Sequence, residues 1–108
     1  MQGARKVEVY NEKILIVDSE IETRRLLDEQ LTTAGYKTVL STNGRDGLNS
    51  FFNENPDLVI IDILLPKFDG YEVCKNIRET SHIPILILTS VNNISNRVMG
   101  LDLGADDY

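Results

Sequence analysis

Short apolar runs alternate with longer amphipathic segments along the chain. The runs at 13–18, 58–62 and 83–89 are rich in Ile, Leu and Val. Their length and their lack of polar alternation are typical of strands that are covered on both faces. A weaker run at 36–41 predicts a further strand, at an edge of the sheet. The pattern therefore predicts a mostly buried sheet built from short strands.

The segments between these runs carry apolar residues at helical spacing. They predict helices that begin near Ser19, at 45–54, at 71–79 and at 92–103. Ser19 with a glutamate three residues later has the sequence of a capping box, which would start the first helix. Gly35 is expected to end that helix in a left-handed conformation.

Strand and helix alternate along the whole chain without an internal sequence repeat. Alternation at this spacing is typical of parallel strands joined by crossover helices, and hence of a doubly wound α/β sheet. A closed barrel of parallel strands needs many more units than 108 residues allow. The sequence predicts one domain over 13–108, preceded by a flexible leader over 1–12.

Composition narrows the class of protein. The chain is 42% hydrophobic and carries a net charge of -6, so it offers one core but no basic patch for nucleic acid or an anionic membrane. No apolar run could span a membrane and no secretory signal is present, which predicts a cytoplasmic location. The single cysteine, Cys74, is expected in the core rather than as a reactive thiol. Arg24 and Arg25 are interpreted as solvated surface charges.

Polar residues end three of the predicted strands. Asp18, Asp62 and Thr89 occupy these positions, and in open parallel sheets ligands bind outside the carboxyl ends of the strands. Two neighbouring carboxylates repel each other and favour a bound cation, for which Mg²⁺ suits hard oxygen ligands. Asp62 would then act as a nucleophile toward phosphorus, and Thr89 would donate to a phosphoryl oxygen. Alternatively, both aspartates only cap the segments that follow them, and spacing alone does not choose between these readings.

Four motifs connect these residues to a known family. They are Ile16-Val17-Asp18, the segment from Ile61 to Gly70, Leu88-Thr89-Ser90, and Gly100-Leu101-Asp102-Leu103-Gly104-Ala105-Asp106-Asp107-Tyr108. In their order and spacing they resemble the receiver domain of two-component response regulators. The last motif resembles the OmpR/PhoB class, including OmpR-like regulators of cyanobacteria and red-algal plastids. The resemblance implies a CheY-like, flavodoxin-like three-layer sandwich with strand order 2-1-3-4.

The resemblance also assigns roles to individual residues. Asp62 would be the phosphoacceptor, which receives its phosphoryl group from a sensor histidine kinase. Asp62 would hold Mg²⁺ with a backbone carbonyl from Leu64, and Asp18 would be an auxiliary acid that holds the ion through water. Thr89 would be the switch hydroxyl, and Tyr108 the aromatic residue whose rotamer follows it. These roles imply a regulator that catalyses at most its own phosphorylation and dephosphorylation, not an enzyme with a separate substrate.

Two departures from the family pattern matter. Most members have a second acid directly after the first, where this chain has Ser19, whose neutral hydroxyl is a weaker Mg²⁺ ligand. The chain also ends at Tyr108, so we expect the family's fifth strand, its phosphate-contacting lysine and its last helix to be missing. Promoter DNA would be bound only through an effector domain of a longer parent protein. A homodimer is expected only in that parent, in the cytoplasm or in a plastid stroma.

Three other functions compete with this interpretation. A pseudo-receiver that binds partners without phosphorylation would account for Ser19, and Mg²⁺ binding separates it from a true receiver. A phosphatase or mutase with Asp62 as nucleophile would normally have a general acid where this chain has Leu64. A flavin-binding module needs a Gly/Ser/Thr-rich phosphate cradle, whereas the loop at 18–20 is acidic.

Overall fold

The computed structural model describes residues 11–63 and 69–88. Its elements are, in chain order, β1 (Lys13–Val17), α1 (Ile21–Thr33), β2 (Lys37–Ser41), α2 (Gly44–Glu54), β3 (Leu58–Asp62), α3 (Gly70–Arg78) and β4 (Ile85–Leu88). The predicted alternation of strand and helix is confirmed over this part of the chain. The predicted helix at 92–103 and most of the predicted leader at 1–12 lie outside the described residues. Within the described ranges, no helix has the length and apolar character needed to cross a membrane.

The described strands form one parallel sheet in the order β2-β1-β3-β4. β1 is flanked on both sides, so that Ile16 lies opposite Leu40 of β2 and Ile60 of β3. β2 lies at an edge of the sheet, as its weaker apolar pattern predicts. The predicted doubly wound parallel sheet and the strand order 2-1-3-4 are therefore confirmed.

Both faces of the sheet are covered by helices. Because successive side chains of a strand point to opposite faces, Leu15 and Val17 of β1 join the cluster that includes side chains of α2 and α3. Ile14 and Ile16 join the second cluster, against which side chains of α1 pack. All four side chains are at most 3% exposed. Burial on both faces explains why β1 is apolar throughout instead of alternating.

Cys74 lies in the interior of α3, as predicted. Its side chain is 0% exposed and belongs to the core cluster on the α2 and α3 side of the sheet. Burial raises the pKa of the Cys74 thiol to about 11, so the thiol stays protonated at neutral pH. A protonated and buried thiol packs as a small apolar group and is a poor nucleophile.

The first helix begins one residue later than the capping-box pattern predicts. Glu20, not Ser19, is the N-cap residue of α1, its side chain makes no capping hydrogen bond, and Ser19 is exposed. The predicted role of Ser19 as helix cap is therefore wrong. The physical reason is that the Asp18 carboxylate accepts the Glu20 N–H at 2.8 Å, which closes a turn ahead of the helix.

The other end of α1 confirms the prediction for Gly35. Its φ of 106° lies in the left-handed region, which glycine adopts without steric cost. The Tyr36 N–H donates to the Leu31 carbonyl and the Gly35 N–H to the Thr32 carbonyl, each at 3.0 Å. These two bonds form a Schellman motif, which satisfies carbonyls at the end of the helix.

Candidate functional site

The fold brings Asp18 and Asp62 to the same edge of the sheet. Asp62 is the last residue of β3, and Asp18 follows directly after β1. The two strands are parallel neighbours, with Val17 opposite Ile61, so the carboxyl ends of both strands lie side by side. The proximity has an electrostatic effect, since the negative charge of Asp62 contributes to a raised pKa of Asp18.

Asp18 is a buried carboxylate. It is only 3% exposed, and its Oδ1 atom accepts the Glu20 backbone N–H at 2.8 Å. Burial is the largest cause of its raised pKa, and the charges of Asp62 and Glu20 add to it, while the Glu20 N–H and the Arg24 charge act in the opposite direction. Ionised Asp18 thus lies in an unfavourable environment, which a cation would improve.

Asp62 is half-buried, and its backbone is in close contact with the start of α3. The Gly70 N–H donates to the Ile63 carbonyl at 2.9 Å. A Cβ atom at Gly70 would lie 2.5 Å from the carbonyl oxygen of Asp62, closer than any ordinary contact allows. Glycine at this position therefore lets α3 approach the backbone that carries Asp62.

The remaining predicted site residues divide into two groups. Leu64, Thr89 and Tyr108 lie outside the described residues. Ser19 is described, and its side chain is exposed in the loop between β1 and α1. At the end of β4, Leu88 pairs with Asp62, so the strand that precedes Thr89 is the direct neighbour of β3.

The structure adds a residue that the sequence interpretation missed. The sequence predicts a solvated charge at Arg24, but the Arg24 Nη1 atom donates to the Asp18 backbone carbonyl at 2.7 Å. Glu20 also lies beside the site, and its carboxylate accepts the Thr23 hydroxyl at 3.1 Å. One sequence feature points to Arg24: it lies in the first turn and a half of α1. A cationic side chain interacts unfavourably with the helix dipole there.

The donor set fits a magnesium ion. Asp18 and Asp62 supply carboxylate oxygens, which Mg²⁺ prefers, and Mg²⁺ usually takes only one or two protein carboxylates and keeps several waters. Across residues 11–63 and 69–88, no three side chains of Asp, Glu, His or Cys form a group that could hold a metal ion. A fully protein-ligated site is therefore absent from the described residues, whereas a partly hydrated hard-cation site is compatible with them.

Comparison with known proteins agrees with this geometry. Residues 14–108 match the response regulator receiver domain family. The probable transcriptional regulator ycf27 of Guillardia theta is 48% identical over 97 residues, which are 90% of this chain and 38% of that protein. The response regulator MprA of Mycolicibacterium vanbaalenii is 42% identical over 97 residues, 89% of this chain and 42% of that protein. The chain thus spans about two-fifths of the length of these curated relatives.

Solved structures show the same fold. The BeF3-activated N-terminal receiver domain of Klebsiella pneumoniae RstA superposes with a TM-score of 0.86 at 33% identity, covering 90% of this chain and 83% of that one. The chemotaxis response regulator CheY4 of Vibrio cholerae gives a TM-score of 0.85 at 30% identity, covering 91% and 84%. The parallel sheet, the paired strand-end aspartates and these matches lead to one conclusion: the chain belongs to the response regulator receiver domain family, with relatives of the OmpR-like class.

Proposed function

We propose that this chain is the phosphoacceptor module, over 13–108, of a two-component transcription regulator. Asp62 accepts a phosphoryl group from the phosphohistidine of a sensor kinase. The observation that carries the proposal is the half-buried carboxylate of Asp62 at the end of β3, beside the buried carboxylate of Asp18. Receiver domains are regulators, so the chemistry of the site acts on the protein itself.

The reaction is a displacement at phosphorus. A carboxylate oxygen of Asp62 forms the new P–O bond while the P–N bond to the kinase histidine breaks. The histidine nitrogen keeps the electron pair of the broken bond and takes up a proton. The product is an acyl phosphate on Asp62, and the kinase is returned to its unphosphorylated form.

Charge at the site explains why Mg²⁺ would be required. Phosphate brings negative charge toward two carboxylates; the pKa of Asp18 is already raised, mainly by burial and additionally by the charge of Asp62. When bound, Mg²⁺ supplies charge neutralisation for the phosphoryl oxygens. Asp18 and Asp62 would hold it, with the Leu64 carbonyl that the family resemblance adds and with Ser19 as a weaker partner. Asp18 also keeps the loop after β1 closed by accepting the Glu20 N–H.

The output would follow from the added charge. A phosphoryl group carries about -1.5 to -2 charges at neutral pH. The hydroxyl of Thr89 would donate a hydrogen bond to one of its oxygens. Tyr108 would then follow Thr89 as the switch aromatic residue. Promoter DNA would be bound, and a homodimer would form, through parts of a longer parent protein. We place that protein in the cytoplasm or in a plastid stroma.

A pseudo-receiver is the second candidate because of one observation. Ser19 presents an exposed neutral hydroxyl where most family members have an acid. A weak or absent metal site would leave a domain that recognises partners without being phosphorylated. The two candidates differ in Mg²⁺ binding and in modification of Asp62.

The test is labelling of the purified chain with acetyl phosphate, with and without Mg²⁺, followed by intact-mass measurement. We expect one phosphoryl adduct that requires Mg²⁺ and is lost in Asp62→Asn. The matched control is Asp57→Asn, which alters an exposed aspartate at the amino end of β3 and should keep the adduct. A folded wild-type chain that gives no adduct would refute the proposal and favour the pseudo-receiver.

A further inference from the structure

Arg24 occupies an electrostatically unfavourable position in α1. The helix begins at Ile21, and the Arg24 N–H makes the first backbone bond of the helix, to the Glu20 carbonyl at 3.0 Å. The partial positive charge of a helix N-terminus disfavours a cationic side chain there. A hydrogen bond to a nearby acceptor would offset this effect on the guanidinium.

That interaction is a hydrogen bond to the backbone of a site residue. The Arg24 Nη1 atom donates to the Asp18 carbonyl at 2.7 Å, in a part-buried position. A bond this short from a charged donor is stronger than one between neutral groups. The neighbouring Arg25 is exposed, so the two adjacent arginines differ in their surroundings.

Three hydrogen bonds hold Asp18, and the bond from Arg24 is one of them. Its N–H donates to the Ser41 carbonyl at 3.0 Å, its Oδ1 atom accepts the Glu20 N–H at 2.8 Å, and its carbonyl accepts from Arg24 at 2.7 Å. The first bond ties Asp18 to β2, and the second closes the loop on itself. The Arg24 bond connects Asp18 to α1 and fixes the peptide plane that follows the carboxylate-bearing residue.

We propose that Arg24 is a positioning residue for the metal site, which holds the backbone of Asp18 so that its carboxylate is directed at Mg²⁺. This inference rests on the proposed function, because it deepens the role of Asp18 in the same site. It has particular weight in this chain, since Ser19 offers only a neutral hydroxyl and Asp18 would then carry more of the Mg²⁺ binding. Groups that orient metal ligands typically contribute 10- to 100-fold in metal affinity.

Positioning and simple charge predict opposite outcomes. At a pH where Asp18 is fully ionised, a guanidinium that acted only through its charge would repel Mg²⁺, so its removal would tighten Mg²⁺ binding. A guanidinium that orients Asp18 stabilises the metal-ready geometry, so its removal would weaken binding. The sign of the change therefore distinguishes the two roles.

The experiment is a Mg²⁺ titration of the full chain, followed by the amide NMR signals of residues 18–20. We expect Arg24→Met to raise the Mg²⁺ dissociation constant by about tenfold. Arg24→Lys retains a cation and a donor and should recover most of the affinity. The matched control, Arg25→Met, removes an exposed cation from the same helix turn and should not weaken binding.

A second measurement needs no metal. The carbonyl ¹³C signal of Asp18 in the Mg²⁺-free protein should move upfield in Arg24→Met, because its hydrogen bond is lost, and should stay in place in Arg25→Met. Unchanged or tighter Mg²⁺ binding by a folded Arg24→Met protein would overturn the positioning role while leaving the proposed function intact. A wild-type chain that binds no Mg²⁺ would overturn both.

Discussion

Replacing Gly70 with alanine should destabilise the protein and disturb the phosphoacceptor. The added Cβ would lie 2.5 Å from the Asp62 carbonyl oxygen and 2.8 Å from the Ile63 Cα atom. Both are backbone atoms at the end of β3, so no side chain can turn aside to make room. The start of α3 must move away from β3, and the bond from the Gly70 N–H to the Ile63 carbonyl, 2.9 Å long, is weakened.

The magnitude follows from three contributions. Overpacking of this kind costs about 1–3 kcal/mol, and weakening of the backbone hydrogen bond adds at most about 1.5 kcal/mol. Alanine's better helix propensity returns up to about 1 kcal/mol. The free energy of unfolding should therefore fall by about 2 kcal/mol, which corresponds to a Tm lower by roughly 8–16 °C in a domain of this size.

The assay is thermal unfolding followed by circular dichroism, combined with acetyl phosphate labelling at a temperature where both proteins are folded. Lys75→Ala, an exposed substitution in the same helix, is the control and should change stability by no more than about 0.5 kcal/mol. Gly70→Ala should also be labelled more slowly, because the backbone of Asp62 is displaced. A Tm and a labelling rate equal to those of the wild type would refute the reasoning.

Two further predictions concern a helix cap and the buried thiol. Asn43 accepts the Asp46 N–H at 2.9 Å at the start of α2, so Asn43→Ala should lower the free energy of unfolding by about 1 kcal/mol in urea titration; no change would contradict the cap. The pKa of Cys74 is raised from 9.0 to about 11, so the native state retains its proton longer than the unfolded state. The free energy of unfolding should therefore fall as pH rises from 9.0 to about 11. Cys74→Ala should lack this contribution to the pH dependence of stability. Equal pH dependence of stability in the wild type and in Cys74→Ala would contradict the prediction.

Much of the fold could be predicted from local sequence. β1 and β3 are buried on both faces, so apolar and polar residues do not alternate along these strands. Gly35 could be predicted to end α1 because few other residues adopt its positive φ. The family resemblance then supplied the strand order, which periodicity alone does not contain.

Local pattern was misleading at the start of α1. Ser19 has the spacing of a helix cap, yet Glu20 occupies the N-cap position, without a capping hydrogen bond from its side chain. The competing interaction is the bond from the Glu20 N–H to the Asp18 carboxylate, at 2.8 Å. Propensity rules consider the cap residue and the helix alone, whereas here the bond to Asp18 places Ser19 inside a turn that precedes the helix.

The sequence by itself determined which residues form strands and helices, because hydrophobic period and turn chemistry act over a few residues. It also determined that Asp18 and Asp62 lie at or beside strand ends. Only the tertiary structure decided that the two carboxylates are neighbours, since this depends on β1 pairing with β3 across the intervening α1, β2 and α2. It likewise decided the contact between Arg24 and the Asp18 carbonyl, because the direction of a long side chain depends on where the helix and loop meet in space.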